Sequence, residues 1–312
     1  MSSPAAAPNS ALARFLDGDL FHSFRSHPVA IGAALVAAIM ILGAVFAPFV
    51  APHDPFDLAK LELNNSLLPP AWTEGGLRTY PLGTDDQGRD VLSTILYGSR
   101  ISLLVGLASV VFALLLGVGL GLLSGYVGGR LDAVIMRIAD VQLSFPAILI
   151  ALLINGVARV AISADTDMHL LSLGVLVGSI GLANWVQYAR TVRGSTLVEK
   201  NREYVQAARV IGVGPVAIML RHVLPNVLGP VLVIATINVA TAIITEATLS
   251  FLGVGVPPTS PSLGTMINNG GNFLYSGEWW LVVFPGAALV LLCMSVNLLG
   301  DWLRDALNPR LQ

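Results

Sequence analysis

Six runs of apolar residues, each long enough to cross a bilayer, recur along this 312-residue chain, near 29–50, 101–126, 139–160, 170–188, 227–249 and 281–303. Lipid offers the peptide backbone no hydrogen-bond partner, so a crossing segment must satisfy its own N–H and C=O groups. A helix does so, and at a rise of about 1.5 Å per residue it needs roughly 20 residues to span a hydrocarbon core ~30 Å thick. Charged residues make up only 12% of the chain, against about 25% in an average soluble domain. The expected fold class is an all-α membrane protein with six transmembrane helices. The first run exceeds the apolar core of a signal peptide, about 7–15 residues, and is expected to remain as a span.

Orientation follows from the basic residues between the runs, which concentrate on the cytoplasmic side of membrane proteins. An even number of spans leaves both termini on one side. That side carries Arg14, Arg25, Arg130, Arg137, Arg190, Arg193, Lys200, Arg202, Arg209, Arg221, Arg304 and Arg310; the other carries Lys60, Arg78, Arg89, Arg100 and Arg159. Both termini are therefore expected in the cytoplasm. The chain divides into a cytoplasmic tail (1–28), a first span (29–50), an extracytoplasmic insert (51–100), a core of spans two to six (101–303) with a cytoplasmic loop (194–225), and a second cytoplasmic tail (304–312). The formal charge of −2 gives no sign of nucleic-acid binding, and the single cysteine, Cys293, excludes an intrachain disulfide.

Within the insert, Pro81-Leu82-Gly83-Thr84-Asp85-Asp86 looks like a turn leading into a helix, with Thr84 or Asp85 accepting from the first unpaired N–H groups. Val91, Leu92, Ile95 and Leu96 then share one face, which predicts a short helix along the outer membrane surface that Gly98 ends. Asp85, Asp86 and Asp90 invite a calcium reading, but a loop counted from Asp85 puts Arg89 on a ligand position, so no metal is expected. In span two, Gly117, Gly121 and Gly125 recur every four residues. Such a strip lets another helix approach closely, the main means of packing where lipid removes the hydrophobic drive.

The loop 194–225 is too polar for lipid and too rich in helix formers for a linker. Residues 196–211 favour helix, and Gly212 can adopt the left-handed conformation that ends one. A second helix can start at once, with Gly214 at its cap and Pro215 at its first position, where a missing N–H costs nothing. Ala207 and Ala208 leave a smooth surface beside Arg209, and Val216, Met219, Leu220 and Val223 give the second helix an apolar side. A helix–turn–helix elbow exposed to the cytoplasm is the result.

Gln206-Ala207-Ala208, Gly212 and His222-Val223-Leu224-Pro225 resemble the signature loop of permease subunits of binding-protein-dependent ABC importers. Gln206 stands where the general pattern has Glu and His222 where it has Ile, while Glu203 supplies a carboxylate one turn earlier. Four further segments, 81–93, 98–103, 140–146 and 249–255, resemble the second ("C") permease subunit of dipeptide, oligopeptide and nickel importers, the dipeptide permease most of all. The resemblance runs from about Val29 to the C-terminus. It implies a type I importer fold in the bacterial inner membrane and a heteromeric complex with a homologous permease, two ATPase subunits and an extracytoplasmic solute-binding protein. It also implies that Glu203, Gln206, Ala207, Ala208, Arg209, Gly212, Pro215, Leu224 and Pro225 couple the chain to its ATPase.

The chain has no G-x-x-x-x-G-K-[ST] phosphate loop, so ATP and Mg are expected on the partner ATPases and no cofactor on this chain. Its histidines are scattered without a nucleophile, and no enzymatic site is expected. Asn238, Thr241, Thr245 and Thr248 fall on one face of span five and are candidates either for the wall of the pathway or for interhelical bonding. Glu246, the only acid in that span, is a functional candidate by its cost in lipid, although its place near the outer end also suits a solvated or capping role. Peptides are the expected solute, with nickel chelates, glutathione and opines as alternatives. A secondary transporter or channel would want repeats, broken helices and several midplane charges instead.

Overall fold

The computed structural model describes residues 19–57, 61, 63–161, 168–257 and 260–306. The far ends of both tails, with Arg14 and Arg310, lie outside the described residues, as does Lys60. The helices are α1 (Asp19–Ser26), α2 (Pro28–Val45), α3 (Ala47–Val50), α4 (Val91–Val127), α5 (Gly129–Leu143), α6 (Ala147–Ala161), α7 (Met168–Glu199), α8 (Glu203–Val210), α9 (Pro215–Ile218), α10 (Leu224–Phe251), α11 (Leu263–Gly271) and α12 (Trp280–Ala306). A π turn, Met219–Val223, joins α9 to α10, making Pro215–Phe251 one apolar rod. Among the described residues five segments are long and apolar enough to cross a membrane, and α5 with α6, bent by 99°, counts as a sixth if the pair is taken as one broken span.

The glycine strip sets the architecture. A Cβ on Gly117 would lie 2.5 Å from Trp185 O, one on Gly121 would strike the Ala189 carbonyl, and one on Gly125 would lie 2.7 Å from Thr196 Cβ. Both residue numbers rise together, so α4 and α7 run parallel in close backbone contact. Two parallel spans require a crossing between them; the 15 residues of α6 reach only about 22 Å, and α5, which runs along α7 from Arg193 to Leu182, adds to that reach. The run expected as one span over 139–160 is thus two helices. Pro146 has no N–H to continue a ladder and disfavours helical geometry at Phe145, so the chain breaks there and α6 starts afresh.

The other spans alternate. Ser102 meets Glu246 and Gly106 meets Ile243, making α4 and α10 antiparallel. Gly300 lies against Thr236, Gly43 against Leu96, and Phe24 packs edge-on to Trp302 with ring centroids 5.0 Å apart. The consequence is a bundle with two different ends. The elbow, α1 and the end of α12 share one; the insert, α11 and the starts of α4 and α12 share the other, where Trp280 Nε1 donates to Thr84 O at 3.3 Å.

The short surface helix expected before Gly98 does not exist separately. Gly98 stays inside the 37-residue α4 because its bare Cα faces the backbone of Pro261–Leu263, where a Cβ would sit 3.2–3.3 Å from main-chain atoms. Close approach, not a turn, is what this glycine serves. The cap is also shifted: Asp90 accepts from Ser93 N at 2.9 Å. Thr84 instead accepts from Leu68 N at 2.8 Å, and Asp85 accepts from Gln87 N and Arg89 N and pairs with Arg89 Nε at 2.6 Å. Among the described residues no group of three or more His, Cys, Asp or Glu side chains is arranged to hold a metal.

Replacing Gly121 by valine should destabilise the subunit by about 1–3 kcal/mol or more, since α4 and α7 must separate. Gly119→Ala, whose Cβ enters open space, should leave the melting temperature of the detergent-solubilised subunit unchanged. Equal melting of the two variants would contradict the packing.

Candidate functional site

The elbow is built between the C-terminal end of α7 and the N-terminal end of α10. Helix α7 stops at Glu199, where Lys200 Nζ reaches across to Gly125 O at 2.7 Å and Asn201 folds its amide back onto Leu197 O. The continuous helix expected over 196–211 is therefore interrupted at 200–202. Helix α8 follows, with Glu203 in its first turn, where a carboxylate suits the positive end of the helix dipole. At its end Gly212 has φ +82°, and its N–H donates to Arg209 O while Val213 N donates to Ala208 O, both at 3.0 Å. Gly214 and Pro215 then open α9 with cap and first position filled as the residue types require.

The two helices are two-faced. Val205, Ala208, Ile218, Met219 and Val223 turn inward and join the main core. On the outside, Val210 is 87% exposed, Ile211 78%, Val216 61% and Leu220 53%. Glu203, Gln206, Ala207, Arg209, Gly212, Pro215 and Pro225 are exposed and Leu224 is half-buried. The pairing of Ala207 with Ala208 on one outer surface needs correction: adjacent helical residues point about 100° apart, and only Ala207 faces out.

Polar bonds pin the elbow. The Tyr204 hydroxyl donates to Glu199 Oε2 at 2.7 Å and accepts from Asn226 Nδ2 at 3.1 Å, and Asn226 also donates to His222 O at 2.7 Å. Partial burial, and then the Glu199 carboxylate, push the Tyr204 phenol above its usual range, so it remains a neutral donor at growth pH. Arg209 lies over the Tyr126 ring, 5.4 Å from its centroid. Beside the elbow, Arg193 grips Asp132 through two bonds of 2.5 and 2.7 Å, Ser124 donates to the same carboxylate, and Arg190 pairs with Asp140. Gln142 donates to Leu182 O and Ala183 O and accepts from Trp185 Nε1 at 2.8 Å. Sequence reading passed over Tyr204, Asn226, Asp132 and Arg193 because their partners lie on other helices. Only the excess of charge near the ends of the runs hinted at them.

Along α10 the structure separates two groups. Asn238 donates to Tyr188 OH at 3.0 Å and to Gln187 Oε1 at 3.3 Å; Thr241 is exposed; Thr245 and Thr248 are partly exposed and bond back to Thr241 O and Ile244 O. Glu246 is fully buried on another face, between Ser102 and Ser250. Burial rules out the solvated role allowed for it.

Residues 117–312 match the family model described as the binding-protein-dependent transport system inner membrane component. The chain belongs to that family. Residues 18–70 match the N-terminal transmembrane domain of oligopeptide transport permease C. The chain is 41% identical over 294 residues to the dipeptide transport system permease protein DppC of Escherichia coli K12, covering 94% of this chain and 93% of that one. It is 39% identical to the di/tripeptide permease protein DppC of Pseudomonas aeruginosa UCBPP-PA14, covering 94% and 92%. With the oligopeptide permease protein OppC of Bacillus subtilis 168 the identity is 36%, covering 94% and 90%. Among solved structures, a chain of the inward-facing MetNI methionine ABC transporter shares the fold, with TM-score 0.53 and 22% identity over 69% of this chain and 96% of that one. This family member is thus a multi-pass ABC importer permease of the bacterial inner membrane.

In this permease Gly212→Val should strain the turn by about 1–2 kcal/mol, because a β-branched residue resists positive φ. Hydrogen exchange over residues 203–218 should accelerate. Gly214→Ala, at φ −64° and with no atom near its Cβ, should exchange like the parent; faster exchange there would contradict the geometry.

Proposed function

We propose that this chain forms one half of the translocation pathway of an ATP-driven importer of dipeptides or oligopeptides, and that its elbow docks on a separate ATPase subunit. One observation carries the docking: Val210 and Ile211 are exposed at the turn between α8 and α9, ahead of the apolar rod, and Val216 and Leu220 are exposed in the rod's first turns. Such a patch ahead of a span marks a protein contact. Glu203, Gln206 and Arg209, exposed on α8, add polar and charged groups beside it, as in the rim of protein interfaces generally.

The basic residues of the elbow and of the described tail segments lie at the same end of the bundle, which supports a cytoplasmic reading of that end by the positive-inside bias. The described residues among 51–90 and α11 then face the extracytoplasmic side, where a solute-binding protein would deliver its cargo. Asn238, Thr241, Thr245 and Thr248 offer the pathway weakly polar side chains against a homologous permease. Peptides are favoured as solute by the relatives named for dipeptide, di/tripeptide and oligopeptide transport.

Two substitutions separate docking from folding. Ile211→Asp puts a carboxylate on the exposed tip, and should weaken ATPase association at least ~10-fold, about 1.4 kcal/mol, without changing membrane insertion. Ala208→Asp buries the charge inside the subunit and should lower the yield of folded chain itself. Uptake of a labelled dipeptide by cells lacking the native gene should return with the parent and fail with Ile211→Asp. Normal uptake and ATPase recovery with Ile211→Asp would refute the docking. Restored uptake of a nickel chelate, but of no peptide, would refute the substrate.

A further inference from the structure

The one carboxylate buried in span five is engaged by hydroxyl groups on two helices, with the cap of a third element close by. Ser102 Oγ of α4 donates to Glu246 Oε2 at 2.7 Å, and Ser250 Oγ, one turn along α10, donates to Oε1 at 2.6 Å. Ser262, the cap of α11, lies close to the same carboxylate and accepts from Thr265 N at 3.4 Å. Glu246, Ser102 and Ser262 are wholly buried and Ser250 nearly so.

Backbones close in around the same point. The missing Cβ of Gly98 leaves room for Pro261–Leu263, that of Gly255 for Ser250, and that of Gly264 for the main chain of Ala247. The outer parts of α4 and α10 and the cap of α11 therefore form one block with no slack. The inner end of span five is built differently. There the rod carries the π turn Met219–Val223 and, one and a half turns on, exposed Gly229 and Pro230. π spacing and an internal proline each interrupt the helical ladder and allow a bend.

We infer that Glu246 is a positioning residue, the fixed pivot about which span five transmits movement of the elbow to the pathway. Its carboxylate faces away from the exposed Thr241 and contacts no solute; it acts by holding the outer block rigid. If the outer end slipped, elbow displacement would be absorbed in the clamp region and the polar face of α10 would not swing. The inference rests on the elbow's coupling to an ATPase. Its signature is uncoupling, not loss of assembly.

The test uses the complete complex with its ATPases and binding protein in proteoliposomes. Three quantities are read: ATPase bound per permease, ATP hydrolysed, and peptide transported per ATP. Glu246→Leu should keep the first two and lower the third about ten-fold or more, the scale of losing two buried hydrogen bonds. Glu246→Gln, which can still accept from Ser102 and Ser250, should retain most transport per ATP. Ser102→Ala should lower coupling alone but add little to Glu246→Leu, since both act in one network. Should Glu246→Leu fail to assemble, Ser102→Ala and Ser250→Ala carry the test, and unchanged coupling in both would overturn the inference. It is equally overturned if Glu246→Leu transports normally per ATP, or if its loss follows complex yield alone. Failure of the docking reading looks different: ATPase would then be missing from the parent complex too.

Discussion

Close backbone contact between two parallel spans governs this subunit. Gly117, Gly121 and Gly125 remove three side chains from the face that α4 presents to α7, so the helices meet at main-chain distance. In lipid, where burying apolar surface gains little, dispersion between closely fitted backbones is what holds helices together. Parallel direction has a topological price: the chain must cross back between them. The bent α5–α6 pair makes that crossing, and before the break at Pro146 α5 runs along the C-terminal half of α7, from Arg193 to Leu182. There Asp132 and Asp140 find Arg193 and Arg190 on α7. The same contact brings Gly125 and Tyr126 beneath the elbow, where Lys200 and Arg209 engage them.

Much of this was legible in the chain because lipid leaves a segment few choices. A run of about 20 apolar residues must be a helix, and spans two, four, five and six appear near the expected places. The glycine strip and the turn at Gly212 could also be read, since each depends on residues adjacent in the chain. What escaped sequence reading depends on distant partners. Gly98 resembled a helix end, but it serves a close approach by Pro261–Leu263 that no local pattern records. Pro146 was visible, yet the apolar run around it hid the break. Glu246 was recognised as costly without any sign that Ser102, 144 residues away, would receive it.

The elbow shows why motif and geometry must be read together. Its signature residues do not share one role, since Ala208 packs inward with Val205 and Met219 while Ala207, Gln206 and Arg209 face out. Part of the motif sets the shape and part presents a surface. The apolar residues Val210, Ile211, Val216 and Leu220 do not belong to the core, and the first two precede the apolar rod. Leaving them exposed would favour aggregation, and a docked partner removes that cost. Tyr204, held between Glu199 and Asn226, ties this surface to the ends of α7 and α10, so force on the tip reaches two spans.

The central claim, that the exposed tip seats on an ATPase subunit in the working importer, can be tested by photo-cross-linking in living cells. With a photoreactive amino acid at Val210, irradiation should join the chain to an ATPase subunit in a single adduct identified by mass spectrometry. The same group at Val205, which points into the core, should give none. Cross-links from Val210 to lipid or to the permease's own spans, with no ATPase adduct, would contradict the account.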